Sequence, residues 1–555
     1  MKKQFQLTKA LVCAAFAFAA NVYQTSAQQK IFETYSWEHL PTAIAPTFKR
    51  DTFNIVKFGA ASTPSTLNTK SVTDAIDACA KNGGGVVLTP KGIWLTGPIR
   101  LKSNVNLHLA KGATLEFSPN KDLYPLVSGN FEGRQTVRNQ SPISGDDLEN
   151  VAITGYGVIE GNGDVWRPLA KGKQTDEQWT AKLSSGGVMS DDGKTWYPSL
   201  QSKRGQALAK SGELDKLTTI EEFRPIKDYL RPNLVVLTRC KRVLLEGVTF
   251  QNSPAWCLHP LMCTDLTIRR VFVNNPPWAQ NGDGLDIESC KNVLVENSKL
   301  ECGDDGLCIK SGKDEQGRKR GMPCENITIH DDTVYHAHGG FVIGSEMSGG
   351  AKNIFVYHCA FIGTDKGLRF KTARGRGGVV SNIYVKDIYM KDIVQEAVYF
   401  DMYYFTKAPV SGQQAPVFPV DVTTPRFQDF YISDIKCDNA DIGIFVRGLP
   451  EMAIKNINFQ NIQLATAIGV QIIEADNIHL KNIRVDASRK KPLVYIENSS
   501  NVDFTGLEGG QKSDLLFNIS GERSKNISAS GVNVKKNIEM AKFTDQADKN
   551  VLTVR

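Results

Sequence analysis

One short unit returns along this chain, and its return limits the folds available to it. A turn residue, most often Asn, is followed by alternating polar and apolar residues. The unit reads "NVAITGYGVIEGNG" from Asn150, "RVLLEGVTFQNS" from Arg242, "DLTIRRVFVNN" from Asp265 and "NVLVENSKLECG" from Asn292. Copies follow from Asn326, Asn353, Asn382, Asn456, Asn477, Asn501 and Asn526, and most successive starts lie 21 to 34 residues apart. Alternation of period two means strands with one buried face. A repeat of this length, almost without helical periodicity, means strands wound into a solenoid. The predicted fold is therefore all-β, a right-handed parallel β-helix. It forms one elongated domain over 52–535, although 555 residues would otherwise suggest several domains.

The solenoid explains two further regularities. Asn side chains stacked at one turn position can hydrogen-bond along the column. Cys240, Cys263, Cys290 and Cys324 each stand two residues before a copy and are predicted to stack as packed thiols. The absence of a CxxC pair argues against zinc, and disulfide pairing is open. "SVTDAIDACAKNGGG" (71–85) is the clearest helix, with Asp74 and Asp77 near its start and Gly83–Gly85 to stop it. A short N-terminal helix there would cap the exposed edge of the first coil. Residues 162–230 break the repeat with a polar insertion that carries Trp166, Trp179 and Trp196, and such long departures tend to be functional. Residues 28–51 read as an N-terminal extension and 536–555 as a C-terminal tail.

The first 27 residues read as a signal peptide. Lys2, Lys3 and Lys9 form a positive end, an apolar run over 10–20 is too short to span a bilayer, and Thr25-Ser26-Ala27 suits cleavage before Gln28. The expected destination is the periplasm or the exterior of a bacterium, with no membrane span. Cleavage takes the net charge from +7 to +4. That balance gives no case for nucleic acid and permits an anionic substrate where charge is local.

Four coils can be aligned on a glycine: "GLDIES" from Gly284, "GLCIKS" from Gly306, "GFVIGS" from Gly340 and "GLRFKT" from Gly367. Leu285, Leu307, Phe341 and Leu368 form one inward column, and Ile287, Ile309, Ile343 and Phe370 the next. Alternation turns Asp286, Cys308, Val342 and Arg369 outward, followed by Glu288, Lys310, Gly344 and Lys371, on a strip predicted to face solvent. With strands ~4.8 Å apart, Asp283, Asp304, Asp305 and His338 converge, and Arg369 and Lys371 lie on a neighbouring coil. Carboxylates this close raise the proton affinity of at least one of them. A protonated acid beside ionised carboxylates is what glycoside hydrolysis needs. Clustered carboxylates also bind hard cations, so a calcium site is a rival reading, which leaves His338 without a role. Two outward cations suit a bound carboxylate, and hence an acidic sugar. Tyr399, Tyr403 and Tyr404 could stack on a sugar, though such aromatic runs are more often core.

At these residues the chain resembles glycoside hydrolase family 28, the polygalacturonases and their relatives. The family's Asn-Thr-Asp motif appears as "NGD" (Asn281, Asp283), its Asp-Asp as Asp304-Asp305, its Gly-His-Gly as "AHG" with His338, and its Arg-Ile-Lys as "RFK" with Arg369 and Lys371. The resemblance covers about 52–400 and implies hydrolysis of pectin with inversion, without a metal or other cofactor. Carried over, Asp304 is the general acid, Asp283 and Asp305 hold and activate water, and His338 tunes the acid or positions the sugar. Asn281, Lys310, Arg369 and Lys371 would contact substrate, a pectic polysaccharide or oligogalacturonide. Gly282, Ala337 and Phe370 replace Thr, Gly and Ile of the motifs, removing no charged group. Rhamnogalacturonan-cleaving relatives tend to lack the His, so its presence favours cleavage beside galacturonic acid. Bacterial relatives of this length are commonly exo-acting, and the insertion could wall off one end of a groove. A rhamnogalacturonan-directed hydrolase and a pectate-lyase-like enzyme are the alternatives.

Overall fold

Alternating apolar residues pair from coil to coil in fixed register. One inward column runs Val151, Val243, Leu266, Val293, Ile327, Ile354, Ile383 and Phe430, each partnered with the next by parallel pairing. All eight side chains are buried in one continuous core. Removing each from water contributes about 1.5–3 kcal/mol. The structure, a computed structural model, describes residues 35–409, 413 and 415–555; the segment read as a signal peptide lies outside them. Thirty-six strands join in one sheet network, paired in parallel throughout, as a right-handed parallel β-helix requires. Residues 35–40 fall in a separate unit, in which Ser36 and His39 form an isolated bridge; Pro41–Arg555 form the second.

The recurring Asn has two physical causes. Each copy begins at a left-handed backbone position, with φ of 53° at Asn150, 55° at Asn292, 61° at Asn326 and 55° at Asn353. Among residues with a Cβ, Asn and Asp tolerate that conformation best. The side chains then form a ladder: Asn326 Nδ2 donates to Asn292 Oδ1 at 3.2 Å, and Asn353 Nδ2 donates to Asn326 Oδ1 at 3.1 Å. Replacing Asn326 with Ala is therefore expected to cost about 2–4 kcal/mol, from two lost hydrogen bonds and left-handed strain. Asn326→Gly loses only the bonds and should cost about half as much. Urea denaturation of the two variants checks this, and equal costs would refute the strain component.

The four cysteines form the expected column. Cys263 N donates to Cys290 Sγ and Cys290 N donates to Cys324 Sγ, both at 3.3 Å. All ten described cysteines are free and buried. Burial pushes the Cys324 thiol up to about 12, which makes it inert.

The capping helix spans Thr69–Lys81, two residues ahead of the predicted start, and buries Val72, Ala75, Ile76 and Cys79 along one face against the first strands. Three expectations need correction. Strands Glu539–Thr544 and Leu552–Val554 pair in parallel with Leu515–Ser520 and Lys525–Ser530, so coiling continues where a tail was expected from 536. Their alternation is too polar to be read as strand without the preceding coil as template. Secondly, the repeat is also broken before the insertion, by an antiparallel hairpin of Leu126–Phe131 and Arg134–Asn139. Its turn places Glu132 and Gly133 at φ of 48° and 74°, a tight two-residue hairpin turn made without the usual Asn-Gly signal. Thirdly, the outward strip does not face solvent. Phe131 of the hairpin stacks on Trp256 at 5.4 Å, and Asp286, Glu288, Cys308, Lys310 and Lys371 are buried. The insertion builds helices Asp176–Ser184 and Leu200–Ser211 and a three-stranded antiparallel sheet, with Trp166, Trp179 and Trp196 packed inside.

Candidate active site

The four glycine-aligned coils form the strands Leu285–Glu288, Asp305–Lys310, Gly339–Ile343 and Leu368–Lys371. Their register is the one read from the sequence. Leu285, Leu307, Phe341 and Leu368 pair in series, as do Asp286, Cys308, Val342 and Arg369 on the opposite face. The acids stand where the chain enters these strands. One oxygen from each of Asp283, Asp304 and Asp305 lies within 4.8 Å of the other two.

Each acid has a different surrounding. Asp304 has a side chain 23% exposed and accepts from the backbone N–H of Asp305 at 3.0 Å. Its Oδ1 lies 3.0 Å from His338 Nδ1, and its backbone carbonyl accepts from His338 N at 2.8 Å. This hydrogen bond, against the opposing effect of burial, raises the proton affinity of His338 above that of an ordinary histidine. Asp305 is buried, which pushes its carboxyl up. Lys371 Nζ at 2.6 Å and Arg369 Nη1 at 2.8 Å more than offset this and hold it below the usual carboxylate range. Asp283 is buried too, and its Oδ1 has no hydrogen-bond partner. Burial, then the charges of Asp286 and Asp304, push its carboxyl well up. The cluster therefore keeps one group ionised while favouring a proton on another. At these separations that proton belongs to the trio and not to one residue.

The predicted substrate-contacting residues divide. Arg369 and Lys371 reach the acids as expected, but both are committed to Asp305 and do not form a separate clamp. Lys310 is enclosed, 3.0 Å from Glu346 Oε2, 3.6 Å from Asp286 Oδ1 and 4.8 Å above the Trp256 ring. Its charge balances buried carboxylates beneath the site, and it does not line the cleft. Asn281 positions a loop: its Oδ1 accepts from Arg231 Nη2 at 2.7 Å, while Arg231 Nη1 donates to the Gln280 and Pro254 carbonyls at 2.7 and 3.0 Å. Arg231, just past the insertion, thus fixes the loop that carries Asp283; nothing in the repeat pattern singles it out. Tyr404 places its ring 4.9 Å from Lys371 Nζ and 5.6 Å from the Arg369 guanidinium carbon. Tyr399, the cross-strand neighbour of Arg369, stacks on Phe445, and Tyr403 is buried, so of the three tyrosines Tyr404 is the one whose ring faces both cations.

A cleft of about 750 Å³ opens onto Asp304 and His338. The insertion supplies its opposite wall, including Lys173, Tyr197, Lys203 and Lys210. Trp278, 41% exposed at the cleft, is an aromatic platform that sequence reasoning missed. The motif substitutions have local causes. A Cβ at Gly282 would stand 2.7 Å from Ala279 Cβ, leaving no space for Thr in this loop. Phe370 joins a buried aromatic cluster with Phe341, Phe400 and Phe430.

The family model for glycosyl hydrolases family 28 matches residues 225–430, the coils that carry these side chains. A hyperthermoactive exopolygalacturonase from Thermotoga maritima has a solved structure that is similar with a TM-score of 0.67 and 30% identity, covering 81% of this chain and 94% of that one. The chain belongs to glycosyl hydrolases family 28. Curated relatives in sequence include a probable polygalacturonase of Vitis vinifera, 29% identical over 60% of this chain, and an exo-poly-alpha-D-galacturonosidase of Dickeya chrysanthemi, 28% identical over 60%. The match spans 59% and 54% of the length of those relatives.

Proposed function

We propose that this family 28 protein is a glycoside hydrolase that removes galacturonic acid from the ends of pectic chains. The observation that carries the reading is the meeting of Asp283, Asp304 and Asp305, with His338 on Asp304 and Arg369 and Lys371 on Asp305, behind a cleft that Asp304 and His338 line. In the proposed reaction Asp304 protonates the leaving glycosidic oxygen, and Asp283 and Asp305 orient and deprotonate the attacking water. His338 positions the Asp304 carboxyl. Arg369 and Lys371 keep Asp305 ionised. The wall built by the insertion closes one side of the cleft and supports exo attack. The names of the Thermotoga and Dickeya relatives support the same mode.

Inversion is part of the proposal and is a demanding one. Two carboxyls in an inverting enzyme usually stand roughly 6.5–9.5 Å apart, whereas oxygens of these three approach within 4.8 Å. The reading requires the water to be held by a pair of acids flanking the attack path, with the third as donor. Export to the periplasm or the cell exterior is proposed from the N-terminal segment; among the described residues no helix is long and apolar enough to cross a membrane.

Incubation with oligogalacturonides of defined length tests the whole reading. Monomer alone should appear from the outset, as the β-anomer by NMR before mutarotation if the bond cleaved is α, and chelator should leave the rate unchanged. A mixture of intermediate lengths would remove exo attack. An unsaturated, ultraviolet-absorbing product that chelator abolishes would replace hydrolysis with calcium-dependent elimination. Release only from rhamnogalacturonan would move the substrate to that polymer.

A further inference from the structure

His338 stands between two carboxylates on neighbouring coils. Its Nδ1 lies 3.0 Å from Asp304 Oδ1 on the coil before, and its Nε2 lies 3.9 Å from Asp365 Oδ2 on the coil after. Asp365 belongs to none of the four motifs, and the reaction as assigned gives it no task. The winding sets its place. Asp365 N donates to the Ala337 carbonyl at 2.8 Å, and Gln395 N donates to the Asp365 carbonyl at 2.8 Å, so its backbone is tied to the coils on both sides. Among the described residues, His338 is the one ion-pair partner of its carboxylate. The adjacent Lys366 is committed elsewhere, with Nζ 2.6 Å from Glu396 Oε2 and donating also to Gln395 Oε1.

Other charges face His338 from each side. Asp283 and Asp305 lie behind Asp304, and Asp305 is offset by its own cations, Arg369 and Lys371. Arg369 Nη1 also donates to the His338 carbonyl at 3.4 Å. On the far wall of the cleft stand Lys173, Asp191, Asp192, Tyr197, Lys203 and Lys210, of which Asp191 and Lys203 pair at 2.6 Å. Beyond Asp304, the carboxylate paired with the imidazole is therefore Asp365. A neutral imidazole carries one N–H and can donate to one carboxylate, whereas an imidazolium carries two. Carboxylates at both nitrogens favour the added proton. The hydrogen bond to Asp304, followed by the charges of Asp304, Asp305 and Asp365, holds that proton against burial. At 3.0 Å Asp304 and His338 titrate as a pair. The leaving glycosidic oxygen draws its proton from this pair, so the pH at which the pair loses it limits the reaction.

We propose that Asp365 is a positioning residue for this reaction: its carboxylate holds the proton shared by Asp304 and His338 and so sets the alkaline limit of catalysis. This role rests on Asp304 being the acid. His338 and Asp365 have side chains 42% and 40% exposed, so water screens the pair and the effect is modest.

Asp365→Asn tests the role. The alkaline limb of kcat/KM on oligogalacturonides should move to lower pH by about half to one unit, as expected for one charge removed at 3.9 Å in water. Asp365→Glu keeps the charge and should restore the limb, and high salt should shrink the difference between wild type and Asp365→Asn. A merely structural Asp365 would instead lower the melting temperature and scale the rate equally at every pH. NMR reads the imidazole directly: His338 is one of eight histidines, and its signal is the one absent from His338→Gln. Its titration midpoint should fall in Asp365→Asn by about the same amount as the limb. An unmoved midpoint in folded Asp365→Asn would overturn the proposal. With Asp304→Asn inactive, a limb that stays in place while the midpoint falls would overturn it too. If Asp304→Asn cleaves at the wild-type rate, the acid has been misassigned, and the midpoint alone then decides whether Asp365 holds the proton on His338.

Discussion

Replacing Asp304 with Asn is expected to lower kcat on oligogalacturonides about 10²–10⁴-fold, the usual contribution of a positioned general acid. Asn keeps the acceptor that meets His338 at 3.0 Å and the backbone N–H of Asp305 at 3.0 Å, so the loop geometry has no reason to change. What is lost is the proton. The melting temperature and KM should therefore move little, and the effect should sit in kcat. Asp304 is the member of the trio that lines the cleft, whereas Asp283 and Asp305 are buried behind it. A variant that cleaves at the wild-type rate would remove Asp304 from the chemistry.

Lys371→Met should lower stability markedly. Lys371 Nζ lies 2.6 Å from Asp305 Oδ2, with both side chains 5% exposed or less. Deleting one partner of a buried pair leaves the other without compensation and costs about 3–5 kcal/mol. Arg369 remains beside Asp305, which places the expected loss at the lower end of that range. The pH dependence follows from linkage. The Asp305 carboxyl is held below its ordinary value, so its stabilisation is present above that ordinary value, near 3.9, and is lost as pH falls toward the folded value. The gap in urea midpoint between wild type and Lys371→Met should thus be widest at neutral pH and close as the medium is acidified. A gap that is constant with pH would mean that packing of the lysine stem, and not its charge, is what Asp305 relies on.

The coil register was legible because period two leaves little freedom. Once Leu285, Leu307, Phe341 and Leu368 are recognised as one column, a slip by one residue would turn every apolar side chain outward. The convergence of Asp283, Asp304, Asp305 and His338 followed from that register alone, and so did the thiol and asparagine columns. What the alternation could not reveal is what lies over the outer face. Asp286, Glu288 and Lys310 read as solvent-facing because their strands point them away from the core, yet the hairpin and neighbouring loops bury them. The hairpin carries no repeat and its Glu132-Gly133 turn lacks the usual signal, so its placement rests on tertiary contacts such as Phe131 on Trp256. Arg231 and Trp278 escaped notice for a related reason: each acts through a loop, where spacing conveys no periodic information. The pairing of Arg369 and Lys371 with Asp305 was likewise hidden, because a strand register fixes which residues are neighbours but not which neighbour a long side chain chooses.

The column of thiols has a consequence for how this protein can be made and kept. Each sulfur is sealed within the winding and already serves, in several coils, as a partner for a backbone amide. Among the described residues the finished fold holds no disulfide for a reductant to cleave, while the unwound chain bares these sulfhydryls and is the form that oxidants can trap in wrong pairings.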